Sequence, residues 1–299
     1  MLALVAAPPS AEIREVPDPQ PQRNEALVEV KAFSLNRGET VRLASMQDGE
    51  LTGWDVAGVV REAAADGSGP KAGARVVGLM PRGAWAQLAN VSTDWIAELP
   101  SNVSFEQAAT LPVAGITALE TLDIGGNPLG RRVLVTGASG GVGRFAIQLA
   151  KGAGAHVTAL ARRQGGLREL GADNVVDSVP EGAEYDIVLD GVGGPVLGAA
   201  IAAVAPGGTV VSYASTVPEP VEYPTRTLFG HAPGAKVVGF LIFRCVHDGA
   251  APLARLAALM ADGRLDAQID SVASWRDAGP LIEDLLDRRV AGKAVLTVD

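Results

Sequence analysis

Residues 133–163 read VLVTGASGGVGRFAIQLAKGAGAHVTALARR, and the fold is decided there. An apolar run at residues 133–136 stops at a Gly-rich turn spanning residues 137–143. A helical pattern over residues 142–153 follows at once, and a second apolar run, residues 156–161, comes after it. Strand, tight turn, helix and strand in that order make a βαβ unit. On the G-x-G-x-x-G spacing the three positions are Ala138, Gly140 and Gly143. The second lets the backbone approach a pyrophosphate, and the third lets the helix lie close on the strand. The helix start presents free N–H groups and the positive end of its dipole to an anion. Ala138, Ser139, Gly140, Gly141, Val142 and Gly143 are therefore expected to cradle a dinucleotide.

The end of the second strand selects the cofactor. An NAD site places Asp or Glu there to bind the ribose diol. This chain has Arg162 and Arg163, and no acid before Glu169. Arginine forms charge-assisted, bidentate bonds to a 2′-phosphate that a carboxylate would repel. The expected cofactor is NADPH.

Outward from this unit the pattern continues. Strand-like runs at residues 174–176, 186–190, 209–214 and 236–243 alternate with helix-like segments at 165–170 and 196–204. Alternation of that kind predicts an α/β fold with a doubly wound parallel sheet. Val192 and Ser215 fall just past strand ends, where ligands bind in such sheets. Upstream the texture is β-like, with runs at 26–30, 55–61, 75–79 and 85–90 between Gly, Pro and Asp turns. A helical stretch from about residue 104 joins the two textures. A helix at 275–288 and a strand at 293–298 close the chain and are placed with the first part, which makes that domain discontinuous.

Composition narrows the function classes. The 299 residues are 47% hydrophobic and 20% charged, as expected of a chain with a sizeable core. The net charge of −9, with no block of Lys and Arg, excludes a nucleic-acid surface. The one cysteine, Cys245, leaves no intrachain disulfide and fits a reducing compartment. Neither a signal peptide nor a membrane span is read, so a cytoplasmic protein is expected.

Two families share the turn. Thr136, Gly137, Gly141 and Gly143 also fit the TGxxxGxG spacing of short-chain dehydrogenases. Catalysis there needs Tyr with Lys four residues on. The residues four beyond Tyr185, Tyr213 and Tyr223 are Leu189, Val217 and Thr227, so that assignment fails. The whole chain instead resembles the medium-chain dehydrogenase/reductase superfamily, in its zinc-free, quinone-oxidoreductase-like branch. The matching blocks are VEVKAFSLNRGE, LTGWDVAGVV, GARVVGLMPRGAWAQLANV, ATLPVAGITALETL, the Gly-rich unit, LDGVGG, APGGTVVSYAS and GKAVLTV.

The resemblance implies a GroES-like β-barrel domain (1–115 and 267–299), a Rossmann domain (116–266), and an active site in the cleft between them. It also implies that Thr117 approaches the nicotinamide, that Phe240, Leu241 and Ile242 flank it, and that Asn36 lies beside it as a donor or positioning group. Zinc-dependent relatives carry Cys where this chain has Asn36, and His-Glu where it has Trp54-Asp55. With one cysteine the four-cysteine lobe is absent as well, so no metal is expected. Without a Lewis acid the easier chemistry is conjugate reduction: hydride reaches a quinone or the activated C=C of an enone, a small-molecule substrate. An enoyl-thioester reductase and a non-catalytic NADPH-binding sensor are the alternatives. A homodimer through the 236–243 strand is implied by resemblance. One departure is the short stretch ETVRLASMQDGELTGWD, with Thr52 in place of Pro, which implies a more open pocket.

Overall fold

The computed structural model describes residues 1–299 and divides into two compact units: Met1–Ile116 with Val246–Asp299, and Thr117–Cys245. The first unit is therefore discontinuous. It begins with a hairpin of β1 (Leu2–Ala7) and β2 (Ser10–Glu15). The long β3 (Glu25–Leu35) leads into a short helix α1 (Arg37–Arg42), capped by Asn36. Then come β4 (Asp55–Glu62), β5 (Arg75–Leu79), β6 (Leu88–Ser92), β7 (Ile96–Glu98) and α2 (Phe105–Ala109).

The second unit is one parallel sheet with its helices. The chain runs through α3 (Ile116–Gly125), β8 (Arg132–Thr136), α4 (Gly141–Gly152), β9 (His156–Leu160), β10 (Asn174–Val176), β11 (Tyr185–Asp190), α5 (Gly194–Ala202), β12 (Val204–Ser212), β13 (Lys236–Gly239) and α6 (Ile242–Cys245). Strand order is β10-β9-β8-β11-β12-β13, every pair parallel. The chain moves outward from β8 on one side and from β11 on the other, so the order reverses between them. Ligands bind beyond the carboxyl ends of strands at such a switch point. The runs RVLVT and YDIVLD are almost wholly buried, as expected for strands covered on both faces. Phe145, Ala146, Ile147 and Ala150 of α4 are buried too.

The chain then returns to the first unit with α7 (Ala250–Ala261), β14 (Ile269–Ser274), α8 (Ala278–Leu286) and β15 (Lys293–Thr297). Its seven-stranded sheet runs β14-β15-β3-β4-β5-β7, with β6 also pairing β3. No pairing closes it into a barrel. All pairs are antiparallel except β14 with β15. Phe33 and Trp85 stack at 5.8 Å in its core, with Trp275 and Leu35 fully buried nearby in the same cluster. No helix is long and apolar enough to cross a membrane.

Several sequence expectations change. The domain boundary expected at residue 266 falls at 245, because α7 packs in the first unit: Gly249 lies against Trp95, and Leu256 against Gly115. That helix was missed, although Leu253, Leu256, Ala257 and Met260 repeat at helical spacing. Residues 165–170 form turns instead of a helix, with Gly166 at φ +76° and Gly171 at φ +109°. The strand expected over 236–243 stops at Gly239. Its partner β12 ends at Ser212, so Phe240 makes the last rung, N–H to the Ser212 carbonyl at 2.9 Å.

Candidate functional site

The second unit holds the dinucleotide turn. Gly137 follows β8 at φ +62°, a conformation that favours glycine, and Gly140 caps α4. A Cβ on Gly143 would lie 2.6 Å from the Ala138 Cα and 2.7 Å from the Gly137 carbonyl oxygen. No side chain fits there, and this lets α4 close on the turn. A Cβ on Gly140 would meet only the Gly137 carbonyl, at 3.4 Å. The space beside Gly140 is open. The first helical hydrogen bond runs from Arg144 N to the Gly140 carbonyl, so the N–H groups of Gly141, Val142 and Gly143 have no helical acceptor. Ser139 is half-buried and Ala138 fully buried beneath the turn. An open approach and unspent donors at a helix start suit a pyrophosphate.

Asp190, at the end of β11, ties the switch point together. Its Oδ1 accepts from the Thr136 hydroxyl at 2.6 Å, and its Oδ2 from Gly193 N at 3.1 Å and the Ser212 hydroxyl at 3.3 Å. Burial raises its pKa from the ordinary carboxylate value, against the pull of these donors. Burial, reinforced by the Asp190 charge, also pushes the Tyr213 phenol up. That makes Tyr213 a poor proton donor.

The other expected residues fall as follows. Val192 packs 3.4 Å from the Cβ position of Gly137 and so borders the turn, whereas Ser215 lies against Gly193 in the loop after β11. Arg162 and Arg163 are exposed in the loop after β9. Phe240 and Ile242 are buried, whereas Leu241 is 57% exposed. Thr117 is buried, and its carbonyl accepts from the Thr121 hydroxyl.

The first unit holds Asn36 in a buried polar cluster. Its amide nitrogen donates to Glu39 Oε1 at 3.0 Å and Asp55 Oδ2 at 2.8 Å, and its Oδ1 accepts from Lys293 Nζ at 2.6 Å. The reverse amide orientation would aim two N–H groups at an ammonium. Lys293 also donates to the Leu35 carbonyl and to Asp55 Oδ2, at 3.2 and 3.3 Å. Asp55 receives the Ser34 hydroxyl at 2.5 Å and Val113 N at 2.9 Å. Both Asn36 amide protons and all three Lys293 protons are spent inside the cluster. Asn36 therefore has no amide proton left for a substrate oxygen. Glu39 Oε2 is buried without a partner, and burial together with the Asp55 charge holds the Glu39 carboxyl well above its ordinary value. A protonated Glu39 leaves the Asp55–Lys293 pair electrically balanced.

Lys293 was not singled out from the sequence, and Asp55 only as the counterpart of a residue in the zinc block of metal-dependent relatives. Both stand in quoted blocks, but the pairing spans 238 residues and no spacing encodes it. The zinc positions of metal-dependent relatives hold an amide, an indole (Trp54) and a carboxylate already committed to an ammonium. This donor set does not fit a zinc ion.

A family model described as a zinc-binding dehydrogenase matches residues 170–296. The chloroplast envelope quinone oxidoreductase homolog of Arabidopsis thaliana is 37% identical over 205 residues, covering 58% of this chain and 61% of that protein. The chain thus matches about three-fifths of the length of that relative. Among solved structures, the quinone oxidoreductase from Coxiella burnetii superposes with a TM-score of 0.84 at 27% identity, covering 100% of this chain and 98% of its own. A mycobacterial protein complexed with NADPH gives a TM-score of 0.86 at 25% identity, over 99% of this chain and all of that one. Its strand order, its Gly-rich turn at the switch point and these likenesses support a quinone-oxidoreductase-like member of the medium-chain dehydrogenase/reductase superfamily.

Proposed function

We propose that this protein is a zinc-free, NADPH-dependent oxidoreductase whose acceptor is a quinone or the activated C=C of an enone. The observation that carries this is the open turn at the switch point, followed by two exposed arginines at the end of β9 and no acid before Glu169. When bound, the reduced nicotinamide supplies a hydride. Gly140 admits the pyrophosphate, the first N–H groups of α4 bind it, and Arg162 and Arg163 take the 2′-phosphate. Asp190 keeps the ends of β8, β11 and β12 in register beneath the turn. Asn36, locked by Lys293, Asp55 and Glu39, fixes the end of β3 and the start of α1 against β4 and β15. Solvent supplies the proton that completes reduction, since the Tyr213 phenol is pushed up by burial. We also propose a cytoplasmic homodimer formed through β13, the edge strand of its sheet, where Val237 is 48% exposed. Light scattering reads whether the chain is a dimer, and a charged substitution at Val237 that returns it to a monomer would place the interface on β13.

The test is a fluorescence titration with NADPH and NADH, followed by NADPH oxidation with benzoquinone, naphthoquinone, an alkyl enone and an enoyl-CoA. An NADPH preference lost in Arg162→Ala or Arg163→Ala, with turnover of a quinone or enone, is expected. Turnover of the enoyl-CoA alone would make the protein an enoyl-thioester reductase. Tight NADPH binding with no turnover would make it a binding protein. Absence of NADPH binding refutes the proposal.

A further inference from the structure

Arg144 stands directly after Gly143, in the first turn of α4, and is only 9% exposed. Its Nε donates to the Ser139 carbonyl at 3.3 Å, inside the dinucleotide turn, and its Nη2 donates to the Gly165 carbonyl at 3.0 Å. Gly166 adopts φ +76°, and a Cβ there would sit 3.4 Å from Nη1. One buried guanidinium therefore joins the turn after β8 to the loop after β9. Residues 162–166 are all exposed, with Ala161 and Leu167 as the buried anchors on either side. Burying a guanidinium is costly unless its donors are matched, and its planar fork can hold two fixed acceptors at once. A lysine ammonium carries the same charge without the fork.

We infer that Arg144 is a positioning residue for 2′-phosphate recognition, tying the Arg162–Arg163 loop to the dinucleotide turn so that the two arginines stand at a fixed reach from the pyrophosphate. The inference rests on the NADPH proposal above. Preorganisation is the physical reason. Ordering a five-residue loop on binding costs affinity that a pre-tied loop retains, and only a ligand carrying the 2′-phosphate uses that loop. Arg144 thus sets the preference between phosphorylated and unphosphorylated dinucleotides without touching the substrate.

The experiment uses the full chain, with 2′,5′-ADP and 5′-AMP as calorimetric probes that need no turnover. Wild type is expected to bind 2′,5′-ADP more tightly than 5′-AMP by at least about tenfold, the scale of a charge-assisted pair. Arg144→Met and Arg144→Lys should both lose most of that ratio while 5′-AMP affinity changes by less than about threefold. Limited trypsinolysis supplies an independent readout, because trypsin cuts after Arg162 and Arg163. Nicking there should accelerate in both variants, with far-UV circular dichroism reporting the fold. If Arg144→Lys keeps the wild-type ratio and nicking rate, charge alone suffices and the tether is overturned. An unchanged ratio in a folded Arg144→Met overturns the inference altogether. Should wild type itself show no preference for 2′,5′-ADP, the NADPH proposal fails and the role in recognition fails with it. Faster nicking in the variants would still report the tether, so the two failures are distinguishable.

Discussion

Removing the Lys293 ammonium tests the buried cluster most directly. In Lys293→Met the side chain keeps its apolar bulk and loses three donors, to the Leu35 carbonyl, Asn36 Oδ1 and Asp55 Oδ2. Lys293 is 2% exposed and Asp55 fully buried, so water does not replace the lost charge. At 3.3 Å and an effective dielectric of about 20, the Asp55–Lys293 attraction alone is about 5 kcal/mol. Desolvation of the lysine offsets part of that, and three neutral donors stay on Asp55. The expected loss is about 3–5 kcal/mol, the usual result of orphaning one member of a buried pair. All four tryptophans, Trp54, Trp85, Trp95 and Trp275, belong to the same unit as Lys293. Tryptophan fluorescence in urea therefore reports that unit alone, and the midpoint shift multiplied by m gives the loss. The double variant Lys293→Met/Asp55→Asn removes both charges and should recover at least about 2 kcal/mol, a coupling well above additive error. A Lys293→Met chain within about 1 kcal/mol of wild type, or a double variant no better than the single, would refute the reasoning.

Other outcomes follow from single atoms. Gly140→Ala keeps φ at −83° and meets only one carbonyl at contact distance, so melting should move by less than about 2 °C. Its methyl occupies the approach to the turn, and NADPH affinity should fall at least about tenfold in a fluorescence titration. Gly143→Ala drives a Cβ into the Ala138 and Gly137 backbone, and should cost about 1–3 kcal/mol or more, read by circular dichroism because that unit holds no tryptophan. Glu39→Gln tests protonation. A folded-state pKa held above the unfolded one means that stability is full at low pH and declines, by at most about 1.4 kcal/mol per pH unit, as pH rises from the ordinary carboxylate range to the raised value. The glutamine variant lacks this decline, so its advantage over wild type should grow as pH rises above the ordinary carboxylate range. Parallel pH curves would show that Glu39 is ionised throughout.

The parallel sheet was legible because each of its rules is local. Residues 133–163 spell strand, turn, helix and strand, and the observed β8, α4 and β9 end within a residue of the expected limits. The close packing at Gly143 was likewise local, since a helix that begins five residues after a strand must pass close over the turn. The Asn36 cluster was legible only as one residue. What fixes Asn36 arrives from β4, 19 residues on, and from β15, 257 residues on, and no periodicity carries pairing over that distance. The boundary error has the same origin. The segment before residue 266 reads equally well as the end of one unit or the resumption of the other, and only contacts such as Gly249 on Trp95 decide it.

The pairing of β15 with β3 also orders events during synthesis. Strands β8 to β13 and their helices are contiguous in the chain, so that sheet can assemble while the ribosome is still translating. The other unit cannot finish so early: β3, made near the start, waits for β15, and the entire second sheet is made between them. Until residue 293 emerges, Asp55 has no ammonium and the edge of β3 that receives β15 is bare. A nascent chain stalled before that point would carry a completed cofactor-type sheet beside a half-built partner, and would be the species most in need of a chaperone.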